Sequence, residues 1–196
     1  MIYILNEPFL SVIVTSYNRA EITKMTVESI LKYEGSDLDC VVVDNHSDDN
    51  TVELLSEIND PRLKIHVNDH NIGHNANLLE CWKYADGEYA FLLLSREVMH
   101  SDKVPNLINF LNEHKPNFMY CAYDKSDESK TKFFKSGEEA FNRFAYQTLH
   151  PSGYTFKTEL IKKFLENKDT SKAYENFGYL PLDFAAAEIT YGGGVI

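Results

Sequence analysis

The runs Leu10–Thr15 (LSVIVT), Asp39–Asp44 (DCVVVD) and Glu88–Leu94 (EYAFLLL) are apolar at nearly every interior position, and each breaks off into polar residues. A strand that is apolar on both faces must be covered on both. A parallel sheet held between two layers of helices provides that cover. Arg62–Val67 (RLKIHV) alternates and adds another strand. Helix-spaced stretches lie between the runs: Arg19–Leu31, with Ile22, Met25, Ile30 and Leu31 able to share a face, then Asp49–Ile58 and Ile72–Ala85. Strand–helix alternation with short links predicts an α/β fold, its sheet mostly parallel and flanked by helices on both faces. The pattern loosens after Leu94. Val104–Leu111 reads as a helix and Asn117–Tyr123 as a strand. Asp124–Lys132 reads as a charged loop, Glu138–Tyr146 and Glu159–Leu165 as helices, and Asn167–Lys172 as a polar connection.

The 196 residues suit one domain with a real core, and 43% apolar with 13% aromatic content predicts a folded globule. The net charge of −11 argues against nucleic acid and anionic lipid as non-specific partners. An anionic ligand would therefore need local help from Arg, Lys, a helix N-terminus or a metal. Cys40, Cys81 and Cys121 form no CxxC pair and read as buried free thiols in a reducing compartment. The start, MIYILNEPFL, lacks the features of a signal peptide, and no apolar run is long enough to span a membrane. The expected location is the cytoplasm, either free or peripheral to the inner face of the membrane. The sequence sets no oligomeric state.

In a parallel sheet every strand delivers its carboxyl end to one edge. Four polar loops would converge there: Thr15-Ser16-Tyr17-Asn18-Arg19, Asp44 to Asp49, Asn68 to Gly73, and Ser95-Arg96-Glu97. Such an edge is the usual ligand site of an open α/β sheet. Helix caps at Asp48 or Asp49 and a plain turn at Asn71-Ile72-Gly73 are the competing explanations. Asp44 ends an apolar strand, where a carboxylate needs a partner.

The ordered segments LSVIVTSYNRAEITKMTVESIL, LDCVVVDNHSDDNTVELL and NIGHNANLLECWKYADGEYAFLLL resemble a family 2 glycosyltransferase with the GT-A fold. The likeness is good from Leu10 to about Leu111 and weak beyond. It implies a nucleotide-sugar-binding half, residues 1–114, and an acceptor-side half, 115–196, of a single domain. It further implies a donor such as a uridine diphosphate sugar and a saccharide or lipid-linked acceptor used in surface polysaccharide synthesis. By the same resemblance Thr15, Ser16, Tyr17, Asn18 and Arg19 lie against the nucleoside, and Asp44 accepts a hydrogen bond from the base. Asn45, Asn71, Gly73, Asn77 and Ser95 shape the nucleotide pocket, and His150 and Ser152 belong to an acceptor-side loop. Members of the family usually continue well past the point reached by Ile196, so the chain is either a short form or a truncated piece.

One part of the likeness fails. The fourth strand should run into an Asp-x-Asp motif that holds a divalent cation, but FLLLSREV puts Arg96, Glu97 and Val98 there. Three readings stay open. Arg96 takes over the metal's electrostatic task; Glu97, or Asp102 further on, holds Mg²⁺ or Mn²⁺ in a shifted register; or catalysis has been lost and the chain is a nucleotide-sugar-binding or partner module. An inverting transferase also needs a late carboxylate to deprotonate the acceptor. Asp183 in YLPLDFAAAEIT is the candidate, with helix capping as its other reading.

Overall fold

The computed structural model describes residues 7–121, 132–134, 137–139, 142, 150–166 and 180–191. Strand β1 (Leu10–Ser16) leads through helix α1 (Ala20–Leu31) to β2 (Leu38–Asp44), and α2 (Thr51–Ser56) leads to β3 (Leu63–Val67). Helix α3 (His74–Glu80) tightens into a 3₁₀ turn at Cys81–Tyr84 before β4 (Tyr89–Leu94). Then follow α4 (Val104–His114), β5 (Phe118–Tyr120), β6 (Tyr154–Lys157), α5 (Thr158–Glu166) and α6 (Leu180–Tyr191).

The strand order is β3-β2-β1-β4-β6-β5. Strands β1 to β4 are mutually parallel, with Val12 opposite Cys40 on one side and Phe91 on the other. Strand β6 runs antiparallel to both β4 and β5. The two halves of the chain therefore share one sheet. The alternation of β1, β2 and β4 sends residues to two cores. On one face Val12, Val14, Cys40 and Val42 meet Val27 and Ile30 of α1, Leu55 of α2 and Ile108 of α4. On the other, Ile13, Val41, Val43 and Leu92 meet Leu78 of α3, Trp82, Ile161 of α5 and Ala185 of α6. Helices cover both faces, as the doubly apolar strands require.

Several boundaries differ from expectation. The stretch Asp49–Ile58 yields only six helical residues, because Asp49 stays outside and receives the Thr51 N–H at 3.0 Å. Helix α3 stops being regular at Cys81. The Leu78 carbonyl accepts the Trp82 indole N–H at 2.9 Å, a side-chain bond that competes with helix continuation. Strand β5 ends at Tyr120, and Cys121 is exposed rather than buried. Cys40 and Cys81 are buried free thiols. The stretch Asp124–Lys132 lies almost wholly, Glu138–Tyr146 largely, and Asn167–Lys172 wholly outside the described residues. Among the described residues no helix is long and apolar enough to cross a membrane.

Strand β6 has no counterpart in the sequence expectation, yet it places the loop that carries His150 and Ser152. Because it is antiparallel to β4, its amino end lies at the edge where β4 ends. Gly153 donates its N–H to Leu92 O at 2.9 Å, and the Leu94 N–H donates to Ser152 Oγ at 3.0 Å. Gly153 has φ of 102°, and a Cβ there would sit 2.4 Å from the Cys121 carbonyl oxygen. Only glycine fits.

Candidate functional site

At the carboxyl edge of β1, β2 and β4 lies a cleft of about 500 Å³, lined by Thr15, Ser16, Tyr17, Arg19, Asn45, Asn71, Gly73, His74, Asn77, Leu94, Ser95 and Arg96. All four polar loops are brought near this edge. The loop residues do not all reach the wall, and the reasons are local.

Part of the cleft is built from a network of asparagine amides. Ile72 N–H donates to Asn45 Oδ1 at 3.0 Å, and Gly73 N–H donates to Asn71 Oδ1 at 2.9 Å. A backbone N–H can only donate, so these contacts fix which end of each amide is oxygen. Asn45 Nδ2 must then donate to Asn71 Oδ1, at 2.8 Å. Asn68 Nδ2 gives its protons to Asn45 Oδ1 and Asn77 Oδ1, and Asn77 Nδ2 donates to Val43 O at 3.2 Å. The network ties the end of β2 to the start of α3. It leaves the second Asn45 amide proton and the Asn71 amide nitrogen without a bond in this ladder. Asn68, its hub, is absent from the expected site residues; a polar residue just past an alternating strand was its only signal.

Asp44 does not line the cleft. It is fully buried, and both oxygens are engaged by Ser47: Oδ1 accepts the N–H at 2.7 Å and Oδ2 the hydroxyl proton at 2.6 Å. A carboxylate closing a buried strand needs such partners, and Ser47 supplies them through a turn that carries His46 at φ of 64°. The expectation that Asp44 meets a nucleobase is therefore corrected. Its neighbour Asn45 holds the wall position. Asp44→Ala should lower unfolding stability by ~1–3 kcal/mol in urea titration, the scale of stranding buried hydrogen-bond partners. A variant as stable as the parent would contradict this account.

Asn18 likewise serves the loops rather than the wall. Its N–H donates to Ser47 Oγ at 2.8 Å and its Oδ1 accepts the Asp48 N–H at 2.7 Å, clamping the β1 and β2 loops together. Asp49 joins the starts of α1 and α2. Burial raises its carboxyl pKa, but bonds from Thr51 and the Ala20 N–H outweigh that and hold it below the usual value.

The cleft lining also carries cationic side chains. Arg19 and Arg96 face it with His74, which is missing from the expected site residues. The His74 imidazole sits below its ordinary pKa, through burial first and then through the positive charges of Arg19 and Arg96. Glu97 is turned elsewhere: its Oε1 lies 3.5 Å from His150 Nε2, in the loop before β6. Val98 is 61% exposed and offers no ligand atom. The described wall carries no carboxylate, and among the described residues no three His, Cys, Asp or Glu side chains cluster as metal ligands. This donor set does not fit a hard divalent cation, which prefers several anionic or neutral oxygens. Glu97, the residue the sequence offers for a metal, lies beside His150, with no third His, Cys, Asp or Glu clustered there among the described residues.

Asp183 lies in the first turn of α6, fully buried, and accepts the hydroxyl proton of Tyr154 on β6. Burial and this carboxylate push the Tyr154 hydroxyl far above its ordinary pKa. Asp183 is not on the described cleft wall.

The sheet order, the two covered faces and the cleft at the carboxyl edge define an open, mostly parallel α/β architecture. The chain belongs to the family described as Glycosyl transferase family 2, which it matches over residues 11–175. It is 27% identical over 120 residues to WfgD of Escherichia coli, a UDP-Glc:alpha-D-GlcNAc-diphosphoundecaprenol beta-1,3-glucosyltransferase, covering 61% of this chain and 47% of that one. It is 26% identical over 167 residues to the GalNAc(5)-diNAcBac-PP-undecaprenol beta-1,3-glucosyltransferase of Campylobacter jejuni, covering 82% and 54%. The chain thus spans about half the length of these curated relatives. Among solved structures, S. aureus TarS 1-349 in complex with UDP-GlcNAc superposes with a TM-score of 0.69 at 20% identity, covering 92% of this chain and 53% of that one. The mannosyltransferase PcManGT of Pyrobaculum calidifontis, in complex with GDP-Man and Mn2+, gives 0.67 at 18% identity, covering 96% and 54%. The fold is the GT-A fold of these transferases.

Proposed function

We propose that this chain binds a nucleotide-sugar donor, a uridine diphosphate hexose, and passes the sugar with inversion to a saccharide or lipid-linked acceptor of surface polysaccharide synthesis. The observation carrying this reading is one cleft lined both by fixed amides and by two arginines. Amides suit the edge of a pyrimidine, and guanidiniums suit phosphate oxygens. Asn45 and Asn71 present the amides, and Tyr17, 39% exposed, offers a ring for the base. Thr15, Ser16, Gly73, Asn77 and Ser95 shape the pocket between them. Gly73, with φ of 86°, keeps the backbone low where the ligand passes. The names of the Escherichia coli and Campylobacter jejuni relatives support a lipid-linked acceptor. His150 and Ser152 then belong to the acceptor side.

The test is release of UDP from UDP-glucose in the presence of a diphosphoundecaprenol-linked saccharide, alongside calorimetric titration with UDP. Transfer supports the reading, and absence of any nucleotide binding overturns it. Asn45→Ala should weaken UDP binding by ~1–3 kcal/mol through the lost amide; unchanged affinity would remove Asn45 from the site. A second reading, a nucleotide-sugar-binding module without catalysis, draws on the burial of Asp183 against Tyr154. It predicts UDP binding with no transfer to any acceptor.

A further inference from the structure

A chain with a net charge of −11 lines one cleft with Arg19, His74 and Arg96 and with no described carboxylate. Local charge of that sign, against the overall balance, selects an anion. Both arginines are fixed at the backbone and exposed at the side chain. The Arg19 carbonyl accepts the Thr23 N–H at 2.9 Å to start α1, and the Arg96 N–H donates to Leu94 O at 2.7 Å in the turn that ends β4. Arg62 shows what a structural arginine does in this fold. Its guanidinium is spent on Asp60 and on the carbonyls of Leu31, Tyr33 and Gly35. Arg19 and Arg96 have no such set of contacts among the described residues.

Resting on the nucleotide-sugar reading above, we propose that the donor's diphosphate is held in this cleft by the Arg19 and Arg96 guanidiniums, with His74, in place of a divalent cation. Two supports are independent of the charge count. One is position: Arg19, His74 and Arg96 line a single cleft from three separate places, after β1, at the start of α3 and after β4. The residues after β4, where a metal ligand would have to stand, are an arginine, a glutamate engaged by His150 and an exposed valine. A diphosphate between two guanidiniums receives planar paired donors and loses the repulsion it would meet near carboxylates. During transfer the bond from the anomeric carbon to the diphosphate oxygen breaks, and its electron pair leaves on that oxygen. The guanidiniums neutralise the charge, while the acceptor oxygen bonds the same carbon and gives up its proton to a base.

Calorimetry on the full chain with uridine and with UDP, each in EDTA and in Mn²⁺, tests this. UDP should bind in EDTA with an affinity within about threefold of that in Mn²⁺, because the phosphate charge is already met. Arg19→Ala and Arg96→Ala should each weaken UDP at least about tenfold and leave uridine within about twofold, with Arg96→Lys recovering part of the loss. Three results overturn the proposal while sparing the nucleotide reading. One is UDP binding that requires Mn²⁺. Another is Mn²⁺-strengthened binding that vanishes in Glu97→Ala. The third is an equal loss of uridine and UDP in the arginine variants. If neither ligand binds under either condition, both the proposal and the nucleotide reading fail.

Discussion

Asp183→Asn should lower sugar transfer by ~10²-fold or more while leaving UDP affinity unchanged, the loss expected when a general base is removed. The substitution separates chemistry from packing. An asparagine oxygen still accepts the Tyr154 hydroxyl proton, so this contact joining α6 to β6 is kept while the capacity to take a proton goes. Asp183→Leu removes both and should also cost ~1–3 kcal/mol of stability by stranding the buried Tyr154 hydroxyl. Burial of Asp183 makes demands on the role. A proton can be taken only by a base within hydrogen-bond reach of the acceptor hydroxyl. The first turn of α6 must therefore open toward the acceptor, or the acceptor must enter beside Tyr154. Tyr154→Phe tests this from the other side, because it removes the hydroxyl bound to the carboxylate and keeps the carboxylate. It should retain far more transfer than Asp183→Asn. If Asp183→Asn keeps at least half of the parent transfer rate and differs only in melting temperature, Asp183 is a structural partner of Tyr154 and the base lies elsewhere.

The difference between what was legible in the sequence and what was not follows the range of the interactions. β1, β2 and β4 could be read because an unbroken apolar run permits little except a doubly covered strand. Strand β6 could not. Its four residues pass directly into α5, so two periodicities meet with no turn between them. Its pairing with β4 is set across the sheet rather than along the chain. The site behaves in the same way. The sequence shows that Asp44 and Asn45 end β2, but not which of the two turns inward. That depends on Ser47, three residues on, and on a positive φ at His46. His74 went unread because its significance comes from Arg19 and Arg96, which reach the cleft from other loops. Arg96 was legible as a departure from an acidic motif, and the geometry supplied its companions.

The double substitution Arg96→Asp with Val98→Asp should weaken UDP binding in EDTA by ~10²-fold or more and make what remains dependent on Mn²⁺. The size follows from the charge change. A cation is lost from the cleft wall and two anions are gained at the end of β4, and placing like charges together costs several kcal/mol in such a setting. The Mn²⁺ dependence follows from ligand chemistry, since the new carboxylates supply the hard oxygens that the native residues lack. The backbone should accept the change: Arg96 and Val98 are both exposed, and the turn is held by main-chain bonds from Arg96 and Glu97 to Leu94 O. Uridine affinity should stay near the parent value, because the amide wall at Asn45 and Asn71 is untouched. That contrast is what the experiment reads. A double variant that still binds UDP in EDTA like the parent would show that Arg96 does not hold the diphosphate. An inactive parent, with Mn²⁺-dependent transfer appearing only in the double variant, would assign the native chain to binding without catalysis. Metal-free transfer by the parent, lost in the variant, would identify Arg96 as the residue that meets the departing diphosphate at the end of β4.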